Sequence, residues 1–82
     1  MTVLEAIKIA EKHKYAPKLA DITEYTDRFV MSYVGEDGEI LDESPMYVMK
    51  ETGEVGTFFP PDYDGDFLKS GIRRRVPKEY RS

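Results

Sequence analysis

The sequence predicts an α+β fold: one N-terminal amphipathic helix packed on a four-stranded antiparallel β-meander, followed by a short C-terminal turn or helix and a basic tail. Three observations carry this reading. Residues 28–60 hold runs rich in β-branched and aromatic residues, separated by acidic turns that contain glycine, which is the pattern of hairpin strands. Residues 2–14 instead repeat their apolar positions at helical spacing. The chain has 82 residues and no cysteine, so one domain must build its core from ordinary side-chain packing. The domain is expected to span residues 1–71, with 72–82 as a loosely held basic tail.

Each element has a local reason. Thr2-Val3-Leu4-Glu5 forms a Thr-x-x-Glu capping box. Val3, Ala6, Ile7 and Ala10 then share one helical face, with Lys8, Glu11 and Lys12 opposite. The helix is expected to reach about Lys14, because Pro17 disfavours helical geometry at Ala16. A first strand is expected around Ile22, between Leu19 and Tyr25, and Thr26-Asp27 reads as a turn. Arg28 to Val34 is the strongest strand, with Phe29, Met31 and Tyr33 on one face and Val30, Ser32 and Val34 on the other. Gly35-Glu36-Asp37-Gly38 breaks it. Ile40 and Leu41 then sit among carboxylates with no clear period. Pro45 leads into a strand over Met46 to Lys50, Glu51-Thr52-Gly53 reads as a hairpin loop, and Glu54 to Phe59 returns until Pro60-Pro61 stops it. Phe67 and Leu68 are expected to cap the core from a short helical turn.

Charge is unevenly placed along the chain. Residues 1–20 carry +2, from four lysines against Glu5 and Glu11. Residues 21–66 carry −11, from thirteen carboxylates against Arg28 and Lys50. Residues 67–82 carry +5, from six cations against Glu79. Either these parts neutralise one another within the molecule, or the acidic surface selects a basic partner.

Most chemistry is disfavoured by the residues available. His13 is the one histidine, and its neighbours supply no group to orient it as a general base. Asp62, Asp64 and Asp66 alternate like calcium ligands, yet Phe67 and Arg73 fall at the sixth and twelfth positions, where an EF-hand loop requires glycine and glutamate. The serines lack a nucleophile-elbow setting, and the six glycines are dispersed rather than gathered into a phosphate-binding loop. Neither an enzyme activity nor a cofactor is expected. No apolar run approaches the roughly 18 residues of a membrane span. The N-terminal residues lack a basic n-region, which predicts a cytoplasmic protein without membrane attachment.

The segment Ser44-Pro45-Met46-Tyr47-Val48-Met49-Lys50-Glu51-Thr52-Gly53-Glu54-Val55, in which a proline leads a hydrophobic strand into Lys-x-x-Gly and a returning strand, resembles a hairpin of the bacterial toxin-immunity protein 35 family. PepSY-like modules are similar more distantly. The leading helix and the Arg28-Phe29-Val30 strand extend the likeness in order of elements. The resemblance implies a non-enzymatic protein that binds and neutralises a partner, and it transfers no catalytic residues.

The expected function is therefore that of a small protein-binding module, of inhibitor or immunity type. Glu36, Asp37, Glu39, Asp42 and Glu43 would meet a basic partner surface, with Tyr33 and Tyr47 adding contact area. Two alternatives stay open: a phage-type or accessory protein contacting nucleic acid through Arg73, Arg74, Arg75, Lys78 and Arg81, or a self-assembling protein whose edge strand pairs with a second copy.

Overall fold

The structure, a computed structural model, describes residues 1–41 and 43–81. Thr2 opens helix α1 (Val3–Glu11) with a complete capping box: the Glu5 amide donates to Thr2 Oγ1 at 3.2 Å, and the Thr2 amide donates to Glu5 Oε1 at 2.8 Å. The helix buries Ala6, Ile7 and Ala10, the stripe set by the sequence spacing. It ends at Lys12, earlier than Pro17 requires. The Lys12 and His13 amides bond three residues back, to Ile9 and Ala10, and this tightens the last turn. The chain then reverses so that the Tyr15 hydroxyl accepts from the Tyr33 amide at 3.0 Å, with the two rings edge-on at 5.8 Å.

The sheet holds β1 (Lys18–Glu24), β2 (Arg28–Val34), β3 (Met46–Met49), β4 (Val55–Thr57) and β5 (Ile72–Arg74), in the order β4-β3-β2-β1-β5, with every pairing antiparallel. The first four strands form the expected meander. In β1 a bulge between Leu19 and Asp21 leaves Ala20 unpaired. Without it, Leu19 and Ile22 would point to opposite faces, because strand side chains alternate. The extra residue lets both reach the same core. The β3–β4 hairpin turns at Gly53, whose φ of 76° is open to glycine at little cost, and the Gly53 amide donates to the Met49 carbonyl at 2.8 Å.

Both faces of the sheet are covered, which makes three layers. On one face, Ile7, Leu19, Ile22, Phe29, Met31 and Val48 belong to the core built under α1. On the other, Tyr25, Val30 and Phe58 lie beneath the connection from β4 to β5. That connection consists of a 3₁₀ turn (Pro60–Asp62) and helix α2 (Gly65–Lys69), which bring Tyr63, Phe67 and Leu68 down onto the second cluster. Phe67 and Leu68 thus cap a core, as expected, but on the face away from α1. Four rings close around one another, with Tyr25–Phe67, Tyr63–Phe67, Phe58–Tyr63 and Tyr25–Phe58 centroids 4.6 to 5.7 Å apart. Central strand β2 is buried on both sides, so its pattern at Phe29-Val30-Met31 is continuous rather than alternating.

The C-terminal residues correct the expectation of a loose tail beyond residue 71. Ile72–Arg74 form β5 on the free edge of β1, pairing Ile72 with Glu24 and Arg74 with Ile22. Val76 is only 7% exposed within the core of Leu19 and Ile22, and helix α3 (Lys78–Arg81) follows, with Tyr80 packed against the same cluster. The five cations of this segment concealed two apolar anchors. Val76 and Tyr80 are four residues apart, and together they hold the chain end to the domain.

Candidate interaction surface

The loop between β2 and β3, residues 35–45, gathers most of the predicted partner-binding residues. It is shaped by two backbone bonds: the Gly38 amide donates to the Gly35 carbonyl at 2.9 Å, and the Gly35 amide donates to the Glu39 carbonyl at 3.0 Å. Gly38 takes a φ of 79°, which the reversal requires and a side chain would resist. The turn leaves Glu36, Asp37 and Glu39 exposed, and Glu43 is exposed further along. Between them Ile40 is 92% exposed, whereas its neighbour Leu41 packs against the main core. A β-branched apolar side chain held in water among carboxylates is the least expected feature of this surface. Beside it runs an open groove of about 340 Å3, lined by Tyr15, Asp21, Ser32, Val34, Ile40 and Leu41 among others.

The two tyrosines of the predicted set are placed differently from the acidic residues: Tyr33 lines the same groove but is buried, and Tyr47 lies away from it. Tyr33 is 2% exposed, and its hydroxyl donates to Glu11 Oε2 at 2.8 Å, tying β2 to α1. Burial, together with that carboxylate, pushes its phenol far above the usual tyrosine range. Tyr33 is therefore a core residue, because the alternation of β2 turns it beneath the helix. Tyr47 lies on the opposite face. Its ring lies across Gly56, the residue it pairs with in β4, and the Arg28 guanidinium stands 5.2 Å from the ring centroid. The same guanidinium lies 5.2 Å from the Tyr63 ring and 5.6 Å from Phe67. It donates to the Tyr63 hydroxyl at 2.5 Å and to both Asp27 oxygens at 3.0 and 2.8 Å. Arg28 holds the Asp27 carboxyl below its ordinary range through those bonds. Tyr47 is thus committed to an internal cation–aromatic cluster. Asp42 lies outside the described residues, as does the side chain of Arg81.

The basic residues are divided as well. The Arg74 Nε donates to Glu24 Oε1 and the Lys50 Nζ to Glu24 Oε2, both at 2.6 Å, so one carboxylate joins β5, β1 and the end of β3. The hydrogen bond from Lys50, followed by that from Arg74, lowers the Glu24 carboxyl below its usual range. Arg73, Arg75 and Lys78 are exposed. Arg73 and Arg74, being adjacent in a strand, point to opposite faces of the sheet.

The remaining candidates are accounted for locally. His13 lines a second groove of about 340 Å3 near β4, with Tyr15, Glu43, Met46 and Thr57. Asp64 spends Oδ1 on the Phe67 amide at 2.7 Å as the N-cap of α2. Among the described residues no cluster of three or more His, Cys, Asp or Glu side chains could hold a metal ion, and no helix is long and apolar enough to cross a membrane. The sequence reading missed Ile40 and Ile72 as surface features. Their only signal was an isoleucine bordered by like charges outside any apolar period. Compared with known proteins, the chain matches no protein-family model, no curated protein and no solved structure.

Proposed function

We propose that this chain is a small non-enzymatic protein-binding module, of inhibitor or immunity type and acting in the cytoplasm, whose 35–45 loop docks on a basic partner surface. The observation that carries the reading is Ile40, 92% exposed in the same loop as the exposed Glu36, Asp37, Glu39 and Glu43. An apolar anchor in an acidic loop supplies burial at the centre of a contact and steering at its rim. The adjoining groove gives a partner side chain room to enter beside Ile40. The resemblance to immunity proteins agrees with such a role. A titration with a basic amphipathic peptide of lysine and leucine, followed by amide NMR shifts, tests it. Shifts are expected in residues 35–45, weaker in Ile40→Ser and in high salt. Shifts scattered over the molecule, or equal in the variant, would refute the reading.

The exposure of Arg73, Arg75 and Lys78 favours one second reading, contact with nucleic acid. It ranks lower because Arg74, on the opposite face from Arg73, is already paired with Glu24 and so is spent within the domain. Deletion of residues 72–82 is not a clean test, since it would remove β5 and Val76. Arg73→Glu with Arg75→Glu is the better perturbation, and unchanged oligonucleotide binding by that variant would exclude the reading.

A further inference from the structure

We infer that the β5 edge of one copy receives the 35–45 loop of a second copy, so that this chain associates reversibly head to tail. The inference rests on the reading of that loop as a contact surface and names a partner for it. Among the described residues, strand β5 pairs only with β1 and stands at the edge of the sheet, with Ile72 55% exposed and all three of its residues on the surface. An open edge carries unpaired backbone donors and acceptors that accept an added extended segment.

Charge selects the occupant. A second β5 laid against the first would set arginine against arginine, which is repulsive, so a symmetric edge-to-edge dimer is disfavoured. Arg74 is held by Glu24 whereas Arg73 is exposed, so the edge suits an acidic segment with an apolar residue to meet Ile72. The 35–45 loop has that composition in Glu36, Asp37, Glu39, Ile40 and Glu43, and it forms no regular strand or helix among the described residues. Each exposed isoleucine thereby finds the other, one in an acidic loop and one followed by arginines.

Within one molecule Ile40 and Glu43 share a groove with Ala20 and Asp21 of β1, beside the Ile22–Glu24 stretch that pairs with β5 rather than on β5 itself. The loop leaves β2 at Val34, which pairs with Lys18, whereas β5 begins opposite Glu24 at the far end of β1. The loop then rejoins the sheet at β3, one strand further from β5 than β2 is. Such a contact uses different patches on the two copies, so it leaves one of each free and extends rather than closes. It is small, so it is weak and appears only at high protein concentration. A basic partner bound at the loop would compete with it.

Sedimentation velocity from about 10 µM to about 1 mM protein, at ~20 mM and ~500 mM salt, tests the inference, because the Debye length falls from about 20 Å to about 4 Å between them. The wild-type chain is expected to sediment faster with concentration at low salt and as a monomer at high salt. Glu39→Arg and Arg73→Glu should each weaken association by ~tenfold or more, since each sets like charges face to face. Mixing the two variants should restore it, because the intact loop of Arg73→Glu meets the intact edge of Glu39→Arg. A wild-type monomer at every concentration, or no recovery in the mixture, would overturn the inference. So would oligonucleotide binding lost in Arg73→Glu without any self-association. The lysine–leucine peptide separates the two proposals: loop shifts with a strictly monomeric chain defeat this inference alone, and their absence defeats both.

Discussion

Replacing Val76 by alanine tests whether the C-terminal segment belongs to the domain. Val76 is 7% exposed and shares a core with Leu19, Ile22 and Tyr33, although Arg73, Arg74 and Arg75 precede it and Lys78 follows. The substitution removes two carbons, about 1.6 kcal/mol of transfer free energy at ~0.8 kcal/mol each. The space left between strand and helix adds a cavity penalty, for a total of about 2 kcal/mol. In a domain of this size that lowers Tm by roughly 8–16 °C, at ~4–8 °C per kcal/mol. Circular dichroism melts and urea titrations measure it, with an unchanged urea slope marking a loss of stability rather than of structure. Lys78→Ala, on the exposed side of the same segment, serves as the control and should stay within about 0.5 kcal/mol of the parent. Indistinguishable melts for the two variants would show that the chain end contributes nothing to the fold and would refute the assignment of β5 and α3.

Three further outcomes are expected. Tyr33→Phe, which removes the bond to Glu11, should cost about 1.5 kcal/mol, near the lower end for a bond to a charged group because water reaches Glu11 once it is freed; peptide shifts in the 35–45 loop should be unaffected, and their loss would return Tyr33 to the contact surface. Gly71→Ala should destabilise by more than a surface substitution does, because the added carbon would stand 2.6 Å from Thr23 Cγ2 and 2.8 Å from the buried Tyr25 ring; an unchanged melt would mean that the α2–β5 junction moves freely. Stability should also fall at both extremes of pH. The Glu24 carboxyl is lowered by folding, so its contribution is complete above the unfolded carboxylate range and is lost as pH falls through the folded value. The Tyr33 phenol is raised by folding, so its contribution is complete below the unfolded tyrosine value of about 10 and is lost as pH rises beyond it. Melts across pH should therefore show a shallower acid limb in Glu24→Gln and a shallower alkaline limb in Tyr33→Phe; parallel profiles would contradict both assignments.

Much of the fold was legible in the residues because its elements are locally signalled. The capping box at Thr2, the helical spacing of Ala6, Ile7 and Ala10, and the alternation of Phe29, Met31 and Tyr33 all operate within a few residues of chain. The candidate surface was legible only in part. The acidic turn from Glu36 to Glu39 was visible as composition, but composition did not separate Ile40, which stays in water, from Leu41, which is drawn into the core. Tyr33 and Tyr47 looked alike as strand tyrosines. Their fates differ because α1 covers one sheet face, whereas Arg28 and the α2 segment occupy the other.

The sequence by itself determined the class of fold and the position of the leading helix, the four meander strands and the short turn of α2, since caps, breakers and apolar periods act over short distances and require no knowledge of the remainder of the chain. Only the tertiary structure decided that Ile72–Arg74 would close the sheet beside β1, that Ala20 would bulge so Leu19 and Ile22 share a core, and that the aromatic residues after β4 would make a second one. Those outcomes depend on pairings between residues far apart in the chain. A strongly charged segment such as Arg73 to Lys78 can join them because two buried side chains, Val76 and Tyr80, are enough to hold it against an open strand edge.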